Sequence, residues 1–219
     1  MCGRFAIAAP RFGKIEAALG AGFPEVRVSY NIAPGSDIPV ISLDGGQPVL
    51  SYMRWGLVPH WSKEPRSKFS TFNARVETAG AKPAFRDAFK RRRCIIPVSG
   101  FYEWQQRDGF KQPWYFTGVG GEALALAGLW DRWEGPEGVL QSSTILVGEA
   151  NGLMSPVHAR MPVILPEDYY SEWLDVEHPG DVEEAIGIPF PEGLMECWPV
   201  SRAVGNVRND RPELIERLG

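Results

Sequence analysis

The 219 residues carry 23 Lys and Arg against 27 Asp and Glu, a formal net charge of −4. That balance excludes broad electrostatic binding of nucleic acid, which draws on clustered cations, and confines any such contact to a local patch. With 44% hydrophobic residues and no Pro/Gly/Ser-rich linker, repeat or low-complexity tract, the chain is expected to fold as one domain over residues 1–219.

The chain opens on "MCGRF". Cysteine is small enough for removal of Met1, so Cys2 is expected to present a free α-amine and a thiol on one residue, two nucleophiles that titrate near about 8 and about 8.5. The first twenty residues hold Arg4, Arg11 and Lys14 without an apolar run, and nowhere do eighteen apolar residues stand together, so neither secretion nor membrane spanning is expected. "PRFGKIEAAL" (10–19) sets Phe12, Ile15 and Leu19 on one helical face, with Gly20 as its stop. "IPVISL" (38–43) and "PVLSYMRW" (48–55) read as strands joined by a turn at "DGGQ". "KPAFRDAFKRRR" (82–93) reads as a short helix with Pro83 near its start and four cations in its last turn, where the helix dipole favours them.

Beyond it, "CIIPVSGFYEW" (94–104), "PWYFTG" (113–118), "EALALAGLWDRW" (122–133), "STILVGEA" (143–150) and "ARMPVIL" (159–165) are apolar, turn-bounded strand candidates. "PEDYYSEWLD" (166–175) reads as a helix opened by Pro166, and "RPELIERL" in the tail repeats that pattern. Many sequential strands with peripheral helices and no βαβ alternation predict an α+β fold with an antiparallel, barrel-like β core. Cys2, Cys94 and Cys197 are far apart and form no CxxC, which fits a reducing cytoplasm and offers neither a disulfide framework nor a zinc site.

Four polar features sit inside apolar segments. Glu103 lies between aromatic residues, where burial would raise its pKa and suit it to proton transfer; pairing with a structural arginine is the plainer reading. His158 precedes "MPVIL" and is either a proton carrier or a hydrogen-bonded loop residue. Asn73 and Arg75 are two apart, so on a strand they share a face and together would hold a polar ligand, the arginine by a forked contact to phosphate. With Cys2 these residues supply a nucleophile, an amide, a carboxyl and an imidazole, the parts of a reaction at a carbonyl carbon.

"MCGRF", "YNIAPG" (30–35), "WGLVPHW" (55–61), "FNARVET" (72–78), "CIIPVSGFYEW", "HARMPVIL" and "VSRAVGNV" (200–207) resemble, in order and over essentially the whole chain, the motifs of the SRAP family, the SOS-response-associated peptidase-like proteins. The resemblance implies a sensor of abasic sites in single-stranded DNA. It would crosslink to them as a thiazolidine through Cys2 after loss of Met1, with Schiff-base, lyase-like and self-reversal chemistry, without a cofactor or metal. By position in the motifs, Asn73 would hold the sugar or the amine, Glu103 would shuttle protons, and His158 would protonate the opening sugar oxygen. Arg4 and Arg75 would take phosphates, and Trp61 would stack on bases or, like Trp55, join the core, the latter being the expectation favoured for both. Lys63, Arg66 and Lys68 lie in a charged loop and are further candidates for backbone contacts. Val147 and Gly148 stand where the family often carries threonines, which removes a hydroxyl there. A monomer in the cytoplasm, on the nucleoid when crosslinked, is the expected state. The alternatives are a thiol peptidase of the N-terminal-nucleophile kind, acting at least on its own Met1, and a non-catalytic nucleic-acid module.

Overall fold

The structure, a computed structural model, describes residues 2–66, 69–136, 138–178, 180 and 182–218. Its strands in chain order are β1 (Phe5–Ile7), β2 (Ser29–Ile32), β3 (Asp37–Asp44), β4 (Gln47–Trp55), β5 (Asn73–Arg75), β6 (Arg93–Val98), β7 (Gly100–Arg107), β8 (Phe110–Gly118), β9 (Leu124–Gly135), β10 (Gly138–Glu149), β11 (Arg160–Pro162) and β12 (Met195–Pro199). The helices are short: α1 (Gly13–Leu19), α2 (Val76–Ala79), α3 (Arg86–Arg91), α4 (Tyr170–Leu174) and α5 (Val182–Ala185).

Two β layers carry the fold. One is a sheet in the order β12-β8-β7-β1-β2, antiparallel throughout. In the other, β4, β3, β6 and β9 run side by side, and β10 pairs with both β9 and β4, closing five strands into a barrel. The hairpin predicted at "DGGQ" is present: Asp44 faces Gln47, and Gly45 and Gly46 take φ of 55° and 79°, the left-handed conformation that a two-residue turn demands. The main core lies between the layers. Trp55 of the barrel meets Phe5 of the sheet with ring centroids 4.9 Å apart, and Phe101 stacks on Phe116 at 5.3 Å. A smaller core of Tyr102, Tyr115, Val200, Val204 and Leu214 fills the sheet's other face beneath the C-terminal segment.

The barrel layer is not purely antiparallel, because β10 runs parallel to both β4 and β5. The helices are shorter than the sequence predicts. α1 begins at Gly13 rather than Pro10, although Phe12 and Ile15 are buried as expected and Gly20 ends it at φ 60°. α3 stops at Arg91; Arg93 belongs to β6, buried with its guanidinium 4.9 Å from the Trp173 ring, so packing removes it from the helix. The stretch 166–175 splits into a 3₁₀ turn and α4. The tail keeps only a 3₁₀ turn at Pro212–Leu214, since the Ile215 carbonyl accepts from Trp198 Nε1 and the Leu218 N–H donates to Pro199.

Burial holds several acids protonated. Tyr102, whose hydroxyl donates to the Tyr30 carbonyl at 2.7 Å, and Tyr115 sit well above the ordinary tyrosine range of 10.0, Tyr170 is pushed up to about 12, and the buried Cys94 thiol is raised too. A folded-state pKa above the unfolded one means that the native chain keeps protons the unfolded chain would release. The stability from these groups is therefore complete below about pH 9 and is lost as the pH rises beyond it. Thermal unfolding should accordingly hold steady to about pH 8.5 and fall steeply by about pH 10.5, with the tyrosinate absorbance of Tyr102, Tyr115 and Tyr170 rising only as the fold opens. A flat midpoint across that range would refute the assignment.

Candidate active site

Cys2 lies just ahead of β1 and is 1% exposed. β1 runs antiparallel to β7, with Phe5 opposite Phe101 and the Tyr102 N–H donating to the Arg4 carbonyl at 2.9 Å, a register that lays Cys2 alongside Glu103. On its other side β7 packs against β8, and Gly100 at its start permits this: a Cβ there would fall 2.4 Å from the Phe116 carbonyl oxygen and 2.5 Å from the Tyr115 ring. From the barrel side, Trp55 Nε1 donates to the Phe72 carbonyl at 2.8 Å and β5 adds to β10 with Asn73 opposite Ile145. Ala74 points into the core, and Asn73 and Arg75 take the other face, as their spacing predicts.

Asn73 Nδ2 donates to the Cys2 carbonyl at 2.7 Å, while its Oδ1 is buried with no hydrogen-bond partner among the described residues. Glu103 is 4% exposed, and its Oε1 is 3.9 Å from His158 Nδ1. Both the N–H and the carbonyl of Arg160 are 3.0 Å from that same His158 nitrogen. With the ring proton on Nε2 alone, Nδ1 accepts the Arg160 N–H; with a proton on Nδ1, it donates to the Arg160 carbonyl. Either state finds a partner, which suits a group that gains and loses a proton. Burial first, and the Glu103 charge second, push the Cys2 thiol far above its ordinary 9.0, with the Arg4 backbone N–H working against them. The thiol is consequently protonated at neutral pH.

An open hollow of about 410 Å³ gives access, lined by Glu103, Trp104, Lys111, His158 and Gly205. Of the residues expected to carry chemistry, the structure gathers Cys2, Asn73, Glu103 and His158. Lys111 was not legible, because nothing in "FKQPWYF" distinguishes it from a solvated lysine; only the β7–β8 pairing brings it here. Arg160, two residues beyond His158 within "HARMPVIL", pairs with Glu77 of α2. A strand spacing of two from His158 is the signal that could have found it.

The residues expected to meet DNA divide. Arg75 is exposed at the end of β5. Arg4 is half-buried, with Nη1 donating to Asn31 Oδ1 at 2.6 Å and to the Val204 carbonyl at 2.8 Å and its guanidinium 5.9 Å from the Trp104 ring. Trp55 is fully buried, but Trp61 is 55% exposed, which corrects the expectation that both belong to the core. The difference is local: His60, beside Trp61, is tied through its backbone N–H and Nδ1 to the buried Asp131, at 2.9 and 3.0 Å, and this anchor turns the next side chain outward. Trp61 lines a second, larger hollow of about 750 Å³ with Phe69, Phe85, Lys63, Arg66 and Lys82. Lys68, named with Lys63 and Arg66 above, lies outside the described residues, as does Met1. Among the described residues no three His, Cys, Asp or Glu side chains gather as a metal ion needs, and no helix is long and apolar enough to cross a membrane.

Comparison with known proteins places this arrangement. The abasic site processing protein YoqW of Bacillus subtilis is 38% identical over 222 residues, covering 99% of each chain. The abasic site processing protein HMCES of Xenopus tropicalis is 35% identical, aligning 87% of this chain with 66% of its own. A crystal structure of a protein from Bacteroides thetaiotaomicron shares the fold with a TM-score of 0.82 at 22% identity, over 99% of this chain and all of that one. Residues 1–207 match the SOS response associated peptidase (SRAP) family, and the chain belongs to that family.

Proposed function

We propose that this protein is an abasic-site sensor that captures the lesion in single-stranded DNA covalently through Cys2, acting as one domain and without a cofactor. One observation carries the reading: Asn73 holds Cys2, Cys2 feels the Glu103 charge, and the Glu103–His158 pair lines an open hollow. The names of the relatives, abasic site processing proteins, supply the substrate class.

The chemistry follows from what an N-terminal cysteine does with an aldehyde. Once Met1 is gone, the Cys2 amine adds to C1 of the ring-opened deoxyribose, and loss of water leaves an imine. The Cys2 sulfur then adds to the imine carbon while its proton passes to a base, closing a five-membered thiazolidine; one water is released overall. His158 donates to the sugar oxygen as the ring opens and assists reversal, and Glu103 takes and returns protons at the nitrogen and sulfur. The Asn73 Nδ2 contact holds the Cys2 backbone, and its unsatisfied Oδ1 is an acceptor for the freed amine or a sugar hydroxyl. Arg75 and Arg4 take phosphates, and Trp61 stacks on a base.

While Met1 is attached, burial disfavours the Cys2 thiolate from which attack on an amide starts, whereas capture of an aldehyde starts from the amine that loss of Met1 frees. The test is a single-stranded oligonucleotide with one abasic site, incubated with protein whose mass shows Met1 to be absent and resolved on a denaturing gel. A shifted band is expected with the abasic strand and none with its uracil-containing precursor. Equal shifts would remove the lesion from the recognition, and no shift beside cleavage of a peptide substrate would move the assignment to the thiol-peptidase reading.

A further inference from the structure

We propose that Gln105 is a positioning residue that sets the separation of Glu103 and His158; this deepens the reading just given of that pair as its proton-transfer groups. Gln105 follows Glu103 by two residues on β7, so both side chains leave the same face. Its amide makes three contacts. Oε1 accepts from Arg107 Nε at 2.9 Å and from Trp114 Nε1 at 3.3 Å, and Trp114 stands directly opposite Glu103 on β8. Guanidinium and indole are donors only, so the oxygen has to face them and the amide nitrogen is left to face the other way. There Nε2 donates to the Pro156 carbonyl at 3.0 Å.

Pro156 precedes His158 by two residues in the turn that carries the imidazole. That turn is fixed at its start by Asn151, whose Oδ1 accepts from the Met154 N–H at 2.9 Å and whose Nδ2 donates to the Phe190 carbonyl at 2.8 Å. At its far end the Arg160 N–H meets His158 Nδ1. Asn151 ties the turn to the segment at Phe190 and Arg160 ties it to its own chain, whereas Gln105 ties it to the strand that bears Glu103. The Gln105 bridge thus spans the two elements whose side chains stand 3.9 Å apart, close enough to exchange a proton after a small shift and far enough to lose contact after a similar one. The charged groups around the imidazole are Glu103 from β7, Lys111 from β8 and the Arg160–Glu77 pair from β11 and α2.

The test compares wild type with Gln105→Met, which loses all three contacts, and Gln105→Glu, which keeps both accepted bonds and loses only the one to Pro156. Single-turnover crosslinking to an abasic oligonucleotide is followed across pH. Both variants should react about tenfold more slowly at saturating DNA, with a displaced pH profile, an unchanged affinity for the intact strand and, for Gln105→Glu, an unchanged unfolding midpoint. Nitrogen-15 NMR of the His158 ring, measured without DNA, should show its signals moved in both variants while those of His178 stay in place. Wild-type rates and profile in the variants, or slowing that only tracks lost folded protein, overturn the proposal. Should wild type itself form no crosslink, the abasic-site reading fails and the ring signals decide alone: unmoved, they reject the bridge as a positioning device; moved, they uphold it.

Discussion

Cys2→Ser is expected to abolish the heat-stable crosslink while leaving borohydride-trappable imine and some strand scission at the abasic site. The amine survives the substitution, so condensation with the aldehyde continues. The hydroxyl closes a ring far less readily than sulfur, and the imine hydrolyses or eliminates instead. Cys2→Ala should match serine in losing the stable product, because both keep the amine and neither has the thiol. The measurement is a denaturing gel with and without reductant, run on protein of confirmed N-terminal mass. A Cys2→Ser band as resistant to heat as that of wild type would remove the thiazolidine from the mechanism. Near-complete loss is expected rather than a graded one, since no other cysteine among those present stands beside the hollow: Cys94 is buried in β6 and Cys197 lies on β12, at the far edge of the sheet from β1 and β2.

Glu103→Gln should lower the rate of crosslinking by about two to three orders of magnitude, the range for removal of a positioned acid–base group. The substitution keeps the size of the side chain and its place on β7, so the loss reports proton transfer rather than collapse. It also removes the charge that adds to burial in raising the Cys2 thiol pKa. The thiol should therefore titrate lower in the variant, and alkylation of Cys2 should begin at a lower pH than in wild type even as capture of the lesion slows. That opposition, a readier thiol with a poorer reaction, separates a proton carrier from a residue that merely activates sulfur. His158→Gln should slow reversal as well as formation, whereas faster formation in either variant would contradict the assigned roles.

Much of the site was legible because its residues break local rules. A glutamate flanked by Tyr102 and Trp104, a histidine opening an apolar strand and an asparagine–arginine pair at strand spacing are each out of place unless something uses them. Pattern and turn chemistry likewise revealed the hairpin at "DGGQ" and most strands. What stayed hidden depends on contacts distant in sequence. The parallel pairing of β5 with β10 joins segments about seventy residues apart, and no local period announces it. The tail has the proline and acid of a helix start, but β12 takes its backbone groups. Trp55 lies on β4, whereas Trp61 lies in a turn whose His60 is anchored to Asp131 of β9, about seventy residues on.

The clasp of Arg4 on the Val204 carbonyl joins residues 200 positions apart, and Gly205 completes the hollow beside it. Synthesis makes Arg4 long before the carbonyl that clasps it. The N-terminal strand therefore waits, through some 200 residues of translation, for its last tie to the rest of the fold. Chains truncated before residue 204 should accordingly hold that end loosely, and a protease should clip their first residues while sparing those of the longer protein.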